Sequence, residues 1–234
     1  MLRSLPRPEQ GTAETAKHPD TLRGISPLVD SIRKVASYQR NQDIYRATGS
    51  AEHWYCLLSG AVRKYLLLVD GRRRIVDFLM PGDFFGFRPC HPEFFATEAI
   101  VPGTIVACYP RQRLEMIADS DPRLGRRIRE LAFESISRSQ ARLLILGRVT
   151  ALEKVRGFLD EMAQRSFDQS DEAVVLPMSR YDIADYLAIS VETVSRAMTE
   201  LKRRRIIKSA STRRIQLMNR PYGMSVVEEQ IRDD

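Results

Sequence analysis

Apolar residues between positions 179 and 205 recur at helical spacing in two short blocks. The inward positions are Ile183, Ala184 and Leu187 in the first block and Val194, Met198 and Leu201 in the second. Ser179 is a typical N-cap residue with Asp182 in the capping-box position, and Ser190 is a second N-cap residue at the start of the second block. The pattern predicts two amphipathic helices joined by a tight turn at Ala188-Ile189.

The outward side of the second predicted helix carries Glu192, Ser195 and Arg196 near its start. Basic charge is concentrated in the same region, because residues 190–220 hold nine Lys and Arg against two acids, whereas residues 150–189 hold four against eight. An ordinary pair of core helices would show the same hydrophobic spacing, but it would not require this change of charge. A basic surface around a polar helix start is typical of a helix that enters the DNA major groove.

Between Tyr38 and Tyr109 the apolar residues form short runs separated by turn residues. The predicted strands are Trp54–Leu58, Ala61–Val69, Arg73–Met80 and Thr104–Tyr109, with Asp70-Gly71 as a hairpin turn. Several short strands at such spacing predict a β-sandwich or barrel. A short helix is expected at Leu28–Ala36, and residues 110–147 are expected to be helical throughout.

Two stretches resemble one known family. The segment LPMSRYDIADYLAISVETVSR, residues 176–196, resembles the winged helix-turn-helix of the CRP/FNR transcription regulators, and most closely that of the FNR/FixK branch. The run LSGAVRKYLLLVDGRRRIVDFLMPGDFFGF, residues 58–87, resembles the jelly-roll sensor domain of the same family. One departure is Ala188, because the family usually has Gly at this turn; a left-handed alanine would cost about 1 kcal/mol.

The resemblance implies an α+β fold with an N-terminal, cyclic-nucleotide-binding-like jelly roll, a long dimerisation helix and a C-terminal winged helix-turn-helix. The expected boundaries are 25–110 for the roll, 111–147 for the helix and 148–220 for the winged domain, between flexible tails at 1–24 and 221–234. The homodimer seam is expected along Ile128, Ala132, Ser135, Ser139, Leu143 and Leu146, which follow near-heptad spacing. An aspartate at position 128 is therefore expected to give monomers.

The resemblance also implies a sequence-specific regulator, more an activator than a repressor, that binds double-stranded DNA and contacts RNA polymerase through a surface around Ile75–Asp83. The expected base-reading residues are Val191, Glu192, Ser195 and Arg196, and the expected phosphate contacts are Ser179, Arg180, Ser190, Thr193, Arg213 and Arg214. Arg196 suits a guanine, and Glu192 suits the amino group of a cytosine or adenine. In the FNR/FixK branch such a set goes with an inverted repeat close to TTGAT-N4-ATCAA rather than with TGTGA half-sites.

No cofactor is expected. Nucleotide-binding members of the family follow the roll turn with Gly-Glu and later carry an Arg-Ser or Arg-Thr pair, whereas here Phe87 follows Gly86 and no such pair occurs in PEFFATEA. The phenylalanines expected to fill the roll instead are Phe84, Phe85, Phe87, Phe94 and Phe95. The chain lacks the N-terminal cysteine cluster of the iron–sulfur members, and Cys90-His91 alone is a weak indication of haem or metal. With three histidines and no catalytic spacing, the sequence does not predict an enzyme.

The composition bounds the setting. The chain has 234 residues and a net charge of +7, which favours a polyanionic partner. It shows no membrane segment and no secretory signal, and its three cysteines without a CxxC pair favour a reducing, cytoplasmic compartment. Two alternatives stay open: the same DNA-binding protein switched by haem or another small effector, and a cyclic-nucleotide signalling module whose C-terminal helices dock a protein. An absorbance spectrum tests the first, and a salt titration of duplex-DNA binding tests the second.

Overall fold

The computed structural model describes residues 20–46, 52–68, 71–87, 95–165, 173–209, 211 and 213–218. The chain divides into two compact units, with the division between Ser139 and Gln140. The elements of the first unit are α1 (Pro27–Ile32), β1 (Lys34–Tyr38), β2 (Asp43–Arg46), β3 (His53–Ser59), β4 (Val62–Leu67), β5 (Arg73–Leu79), β6 (Phe84–Phe85), β7 (Phe95–Ala99), β8 (Thr104–Pro110), α2 (Arg111–Ser120) and most of α3 (Pro122–Leu146).

The eight strands of the first unit form two antiparallel sheets. One sheet has the order β1-β8-β3-β6 and the other β2-β7-β4-β5. The inner faces of both sheets share one apolar cluster, which includes Tyr55, Leu57, Val62, Leu79 and Phe85. This arrangement confirms the jelly-roll-like β-domain that the short strands predicted, and it will be called the roll.

A second apolar cluster lies on the outer face of the β1-β8-β3-β6 sheet. Residues of β3 alternate between the two sides, so Trp54, Cys56 and Leu58 face this outer cluster while Tyr55 and Leu57 face inward. The helices cover the outer cluster with Val29 of α1, Leu114 of α2, and Leu124 and Leu131 of α3. Burial raises the pKa of the Cys56 thiol to about 11, and the same cause raises the pKa of the Cys108 thiol to about 11.

The expectation that the phenylalanines fill the roll is correct for Phe85 but wrong for Phe84 and Phe87. Phe85 stacks on Tyr55 inside the roll, with ring centroids 5.2 Å apart. Phe84 and Phe87 belong to the outer cluster, where both rings lie against Trp54. Neighbouring residues of a strand point to opposite faces of a sheet, so adjacent phenylalanines cannot both enter the same core.

Three boundaries differ from those expected from the sequence: the end of the first helix, the continuity of the long helix, and the end of the N-terminal tail. The first helix ends at Ile32, and Ala36 lies in β1 opposite Val106. The helix expected over 110–147 is interrupted at Asp121, because Pro122 disfavours a helical residue before it and the Asp121 side chain accepts a hydrogen bond from the Arg123 N–H at 3.0 Å. The end of the expected N-terminal tail is packed: Leu22 is fully buried, and Asp20 accepts hydrogen bonds from the Tyr109 hydroxyl at 2.8 and 2.9 Å.

Helix α3 has a buried side and an exposed apolar side. Leu124 and Leu131 are buried, and Ile128 packs against the same outer cluster. The exposed large apolar residues of α3 are Phe133, Ile136, Leu143 and Leu144. Among the expected seam residues, Ala132, Ser135 and Leu146 are half-buried, and Ser139 and Leu143 are exposed. Ile128 thus packs in part against the intrachain core, and the expected seam along this helix stays a prediction.

The second unit contains the end of α3, followed by α4 (Ala151–Arg165), β9 (Ala173–Val175), α5 (Arg180–Leu187), α6 (Val191–Arg203), β10 (Ile207–Ser209) and β11 (Arg214–Leu217). Its three strands form an antiparallel sheet in the order β10-β11-β9, which confirms the expected wing. The core of this unit includes Phe158, Leu187, Val194, Met198 and Leu201, so α5 and α6 use the predicted apolar faces and α4 contributes Phe158.

Several expectations concern residues outside the described ranges. They are the flexibility of residues 1–19 and 221–234, the hairpin residue Asp70, the Cys90-His91 pair and Phe94. Among the residues that the structure describes, no helix is long and apolar enough to cross a membrane.

Candidate nucleic-acid interface

Helix α5 starts at a complete capping box. The Asp182 N–H donates to the Ser179 hydroxyl at 3.1 Å, and the Asp182 carboxylate accepts from the Ser179 N–H at 3.0 Å. Ser179 also donates its hydroxyl proton to the same carboxylate at 2.6 Å. These bonds satisfy the first free N–H groups of the helix and fix its start, as the sequence predicted.

The turn between α5 and α6 is left-handed at Ala188. This residue has φ 53° and ψ 46°, and its N–H is bonded to the carbonyls of Ala184 and Asp185. The residue after it, Ile189, donates its N–H to the Ala184 carbonyl at 3.1 Å. Ala188 therefore takes the place that glycine holds in most helix ends of this kind, and its methyl group strains the backbone.

Helix α6 starts at Ser190 and presents a polar face. The Ser190 hydroxyl accepts a hydrogen bond from the Thr193 N–H at 3.1 Å, so the helix begins with Val191 at its first position. Glu192 and Arg196, one turn apart, are exposed, whereas Val191, Thr193 and Ser195 are half-buried. The predicted base-reading residues thus share the N-terminal half of one exposed helix face, which is the geometry needed to reach base edges.

Two side chains of opposite charge, Glu192 and Arg196, lie on this face. The pKa of Glu192 lies below its usual value because its own backbone N–H and the Ser190 hydroxyl bond to the carboxylate, and Arg196 lies nearby. The Arg196 guanidinium makes a long contact of 3.5 Å with the Thr193 hydroxyl. The face therefore offers a carboxylate acceptor and a guanidinium donor side by side.

The C-terminal end of α6 carries a basic group with one internal acid. Glu200 accepts hydrogen bonds from Arg203 at 2.7 Å and from Arg204 at 2.6 Å, and these bonds lower the pKa of Glu200 to about 2. The helix ends at Arg203, and Arg205, two residues further on, is left-handed with φ 56°. Lys202 and Arg205 are exposed. Sequence reasoning counted their charge but assigned them no contact, because the left-handed backbone at Arg205 cannot be read from helical spacing.

Three of the expected phosphate contacts line one hollow. Ser179, Arg180 and Arg213 surround a cavity of about 190 Å³ whose other walls include Met178 and Met198. Arg213 precedes β11, and the Ser211 hydroxyl accepts hydrogen bonds from the backbone N–H groups of Arg213 and Arg214 at 3.3 and 3.1 Å. The start of α5 and the wing therefore bring two arginines to the same place on the surface of the second unit.

The interface is supported from behind by Tyr186. This buried residue of α5 lies under the Arg142 guanidinium, 4.8 Å from the ring centroid, and its carbonyl accepts from Arg142 at 3.2 Å. Its hydroxyl donates to Glu161 of α4 at 3.3 Å. These contacts connect α5 to α4 and to the last turns of α3.

The comparisons with known proteins agree with this architecture. Residues 35–121 match the family model described as the cyclic nucleotide-binding domain, and residues 153–222 match the Crp-like helix-turn-helix domain. The nitrogen fixation regulation protein FixK of Rhizobium meliloti is 38% identical over 186 residues, which cover 80% of this chain and 83% of the relative. The chain belongs to the FixK-like branch of the CRP/FNR family. This membership in a family of transcription regulators confirms the expectation that the chain is not an enzyme.

Other relatives support the same branch. The FixK protein of Azorhizobium caulinodans is 39% identical over 196 residues, covering 82% of this regulator and 79% of the relative. The solved structure of FixK2 from Bradyrhizobium japonicum has a TM-score of 0.73 and 39% identity, and covers 81% of this chain and 94% of that one. Both the β-roll and the winged helix-turn-helix of this regulator are therefore family features.

The surface expected to contact RNA polymerase is less open than the sequence suggested. Within Ile75–Asp83, the side chains of Ile75, Phe78 and Leu79 are almost fully buried. Asp77 and Asp83 bind Arg138 of α3. Because Phe78 and Leu79 are adjacent and point to opposite faces of the sheet, β5 is covered on both sides here, and the other residues of the segment are half-buried.

Proposed function

We propose that this FixK-like regulator is a homodimeric transcription activator that binds an inverted repeat close to TTGAT-N4-ATCAA without a cyclic nucleotide and contacts RNA polymerase there. The observation that carries the proposal is the exposed pair of Glu192 and Arg196 on a cap-initiated helix within a basic surface. Among the relatives, AadR of Rhodopseudomonas palustris is named as a transcriptional activatory protein, at 36% identity.

The half-site follows from the chemistry of this helix face. Arg196 can donate two hydrogen bonds to one guanine, and Glu192 can accept from the amino group of a cytosine or an adenine. The methyl groups of Val191 and Thr193 suit a thymine methyl. Because residue 191 is valine, the helix lacks the additional guanine-reading arginine that a TGTGA half-site needs, and TTGAT is preferred.

The exposed apolar side of α3 supports the homodimer. Phe133 is 66% exposed, Ile136 52% and Leu144 75%, although each is large and apolar. Such residues along one helix are suited to a second copy of the same helix, because burying them would remove apolar surface from water. A two-fold dimer would place its two recognition helices about one turn of DNA apart, ~34 Å, as an inverted repeat requires.

The packing around Gly86 supports a roll without cyclic nucleotide. A Cβ atom at Gly86 would lie 2.8 Å from the His53 carbonyl oxygen, so this turn is already in close contact with β3. The Phe87 ring, where nucleotide-binding members carry glutamate, packs 5.6 Å from Trp54 and 5.5 Å from Phe84. Calorimetry with cAMP and cGMP at micromolar concentration is expected to show no saturable heat, and a one-per-protomer isotherm would refute this part of the proposal.

The proposal is tested by competition between two labelled duplexes at one fixed salt concentration, with no effector added. One duplex carries TTGAT-N4-ATCAA and the other the corresponding TGTGA repeat, with identical flanks. We expect at least tenfold tighter binding of the first duplex, since a lost bidentate contact is worth ~1–3 kcal/mol in each of the two half-sites. Preference for TGTGA, or equal binding, would contradict the branch-specific half-site while leaving the family membership intact.

A further inference from the structure

The buried side of α3 carries leucines up to Leu131 and an arginine after it. Leu124 and Leu131 are fully buried against the outer cluster, but no residue of α3 between Leu131 and Ile145 is buried to that extent. One heptad after Leu131, on the same side of the helix, stands Arg138. Its side chain is only 12% exposed, so an arginine takes the place of an apolar anchor where α3 passes the roll.

Arg138 binds two carboxylates of the roll at once. Its Nε lies 3.5 Å from the Asp77 carboxylate on β5, and its Nη1 lies 3.2 Å from the Asp83 carboxylate in the following turn. Asp83 is itself fixed, because its other oxygen accepts the Met80 N–H at 2.7 Å. Both carboxylates are about as buried as the guanidinium, each 16% exposed, so this bridge is shielded from solvent and from salt.

The roll side of the bridge is rigid as well. Asp77 pairs in register with Lys64 of β4, and two residues along the same strands Val62 pairs with Leu79, both of which face the interior of the roll. The Lys64 ammonium lies over the Phe95 ring, 5.1 Å from its centroid. The Arg138 guanidinium therefore lies beside a polar pair, Lys64 and Asp77, that is next to the apolar core of the roll.

Arg138 lies on the opposite side of α3 from the exposed apolar residues. At roughly 100° per residue, it stands roughly 140° from Phe133 and roughly 160° from Ile136 around the helix. A guanidinium that bridges two fixed carboxylates has one allowed direction, whereas an apolar side chain on a flat surface tolerates rotation of its helix. The direction of Arg138 thus determines which way Phe133 and Ile136 point.

We propose that Arg138 is a positioning residue for dimerisation: its bridge to Asp77 and Asp83 fixes the rotation of α3 on the roll so that Phe133 and Ile136 face a second copy of the chain. This inference rests on the proposed function, in which α3 forms the dimer seam. It gives the regulator an internal ion bridge at the place where α3 meets the roll, and dimer formation then needs no bound ligand to set the helix.

The test compares full-length Arg138→Leu and Arg138→Lys with the matched control Arg123→Leu, which removes an exposed arginine from the same helix. Sedimentation measures the dimer dissociation constant, and circular dichroism measures the thermal midpoint. We expect Arg138→Leu to raise the dissociation constant at least tenfold and Arg138→Lys to give an intermediate value, since one ammonium cannot span both carboxylates. Arg123→Leu should dimerise like the wild type.

A second set of variants separates positioning from general destabilisation. The double variant Asp77→Asn/Asp83→Asn should weaken dimerisation as Arg138→Leu does, and adding Arg138→Leu to it should cause little further loss, because all three residues act through one bridge. Operator affinity should recover for every variant at protein concentrations above its own dimer dissociation constant. A purely structural loss would not recover in this way, and that result would overturn the inference.

The proposed function and this inference fail differently. If Phe133→Asp remains dimeric, the α3 seam itself is wrong. If Phe133→Asp becomes monomeric but both Arg138 variants dimerise like the wild type, the seam stands and the positioning role of Arg138 is overturned.

Discussion

Arg196 carries the most specific role at the scale of single residues. Its guanidinium is exposed and makes a long contact of 3.5 Å with the Thr193 hydroxyl, so it can reorient towards a base at small cost. We expect Arg196→Ala to flatten sequence preference at one base pair in each half-site, with a loss of ~1–3 kcal/mol of discrimination. Selection from a pool of randomised duplexes measures this preference position by position.

The matched control for Arg196→Ala is Arg203→Ala. Arg203 is exposed on the same helix but is bound to Glu200 at 2.7 Å, so its loss should weaken binding only slightly and leave the ranking of duplexes unchanged. An Arg196→Ala protein that ranks duplexes like the wild type would remove this residue from the base-reading set.

Ala188 gives a prediction about stability rather than recognition. Because it is left-handed at φ 53°, Ala188→Gly should remove steric strain and raise the free energy of unfolding by about 1 kcal/mol. Calorimetric unfolding measures the gain, and Ala132→Gly inside α3 is the control, since glycine in a regular helix should instead lower stability by about 1 kcal/mol. A lower unfolding temperature for Ala188→Gly would show that the turn is not strained.

At the scale of elements, α3 separates folding from association. Phe133 already faces solvent, so Phe133→Asp should leave the roll folded but place a charge in the seam and yield monomers by sedimentation. Ile128 packs in the outer cluster, so Ile128→Asp should unfold the first unit instead, at a cost of several kcal/mol. Thermal unfolding followed by circular dichroism distinguishes the two variants, and equal midpoints for both would contradict this division of roles.

Local signals explain which elements could be predicted from the sequence. The caps at Ser179 and Ser190 and the turn at Ala188 depend on residues within one or two helical turns, and all three have the expected conformation. Phe84 enters the outer cluster and Phe85 the interior of the roll. Which face of β6 is turned towards which cluster depends on the packing of the sheet, and the local sequence does not show it.

The base-reading face of α6 could be predicted from local sequence, whereas the dimer seam on α3 could not. Glu192 and Arg196 are exposed as predicted, because the amphipathic pattern of α6 is strong and its apolar side is complete. For α3, by contrast, both Ile128 and Phe133 are apolar residues at plausible heptad positions, and only the packing of the helix on the roll decides which of them is buried. The bridging role of Arg138 could not be predicted, because its two carboxylate partners lie about 60 residues earlier in the chain and the sequence around Arg138 does not indicate them.

For the molecule as a whole, the pH dependence of stability follows from buried acids of the roll. Burial raises the pKa of Cys56 and of Cys108 from 9.0 to about 11, and burial likewise raises the pKa of Tyr55 and of Tyr109. The unfolded chain then releases these protons at lower pH than the folded one. Their contribution to stability is therefore complete below pH 9 and is lost as the pH rises towards 11.

Denaturant unfolding at a series of pH values tests this expectation. The free energy of unfolding should fall from pH 9 upward by about 1 kcal/mol per pH unit for each thiol, and the denaturant midpoint should fall with it. Cys108→Ala should make the fall less steep, because one of the groups is removed. A midpoint that stays constant between pH 9 and pH 10.5 would show that these thiols ionise as easily in the folded protein as in the unfolded one.

The left-handed Ala188 also has a consequence for how this regulator can evolve. Alanine and glycine codons differ by a single nucleotide, so the stabilising change at the α5–α6 turn is one mutational step away. A typical substitution on the reading face costs about 1 kcal/mol in stability, close to what that step would return. A lineage that acquires glycine at position 188 could therefore accept a destabilising change on α6, and with it a new operator, without losing the fold.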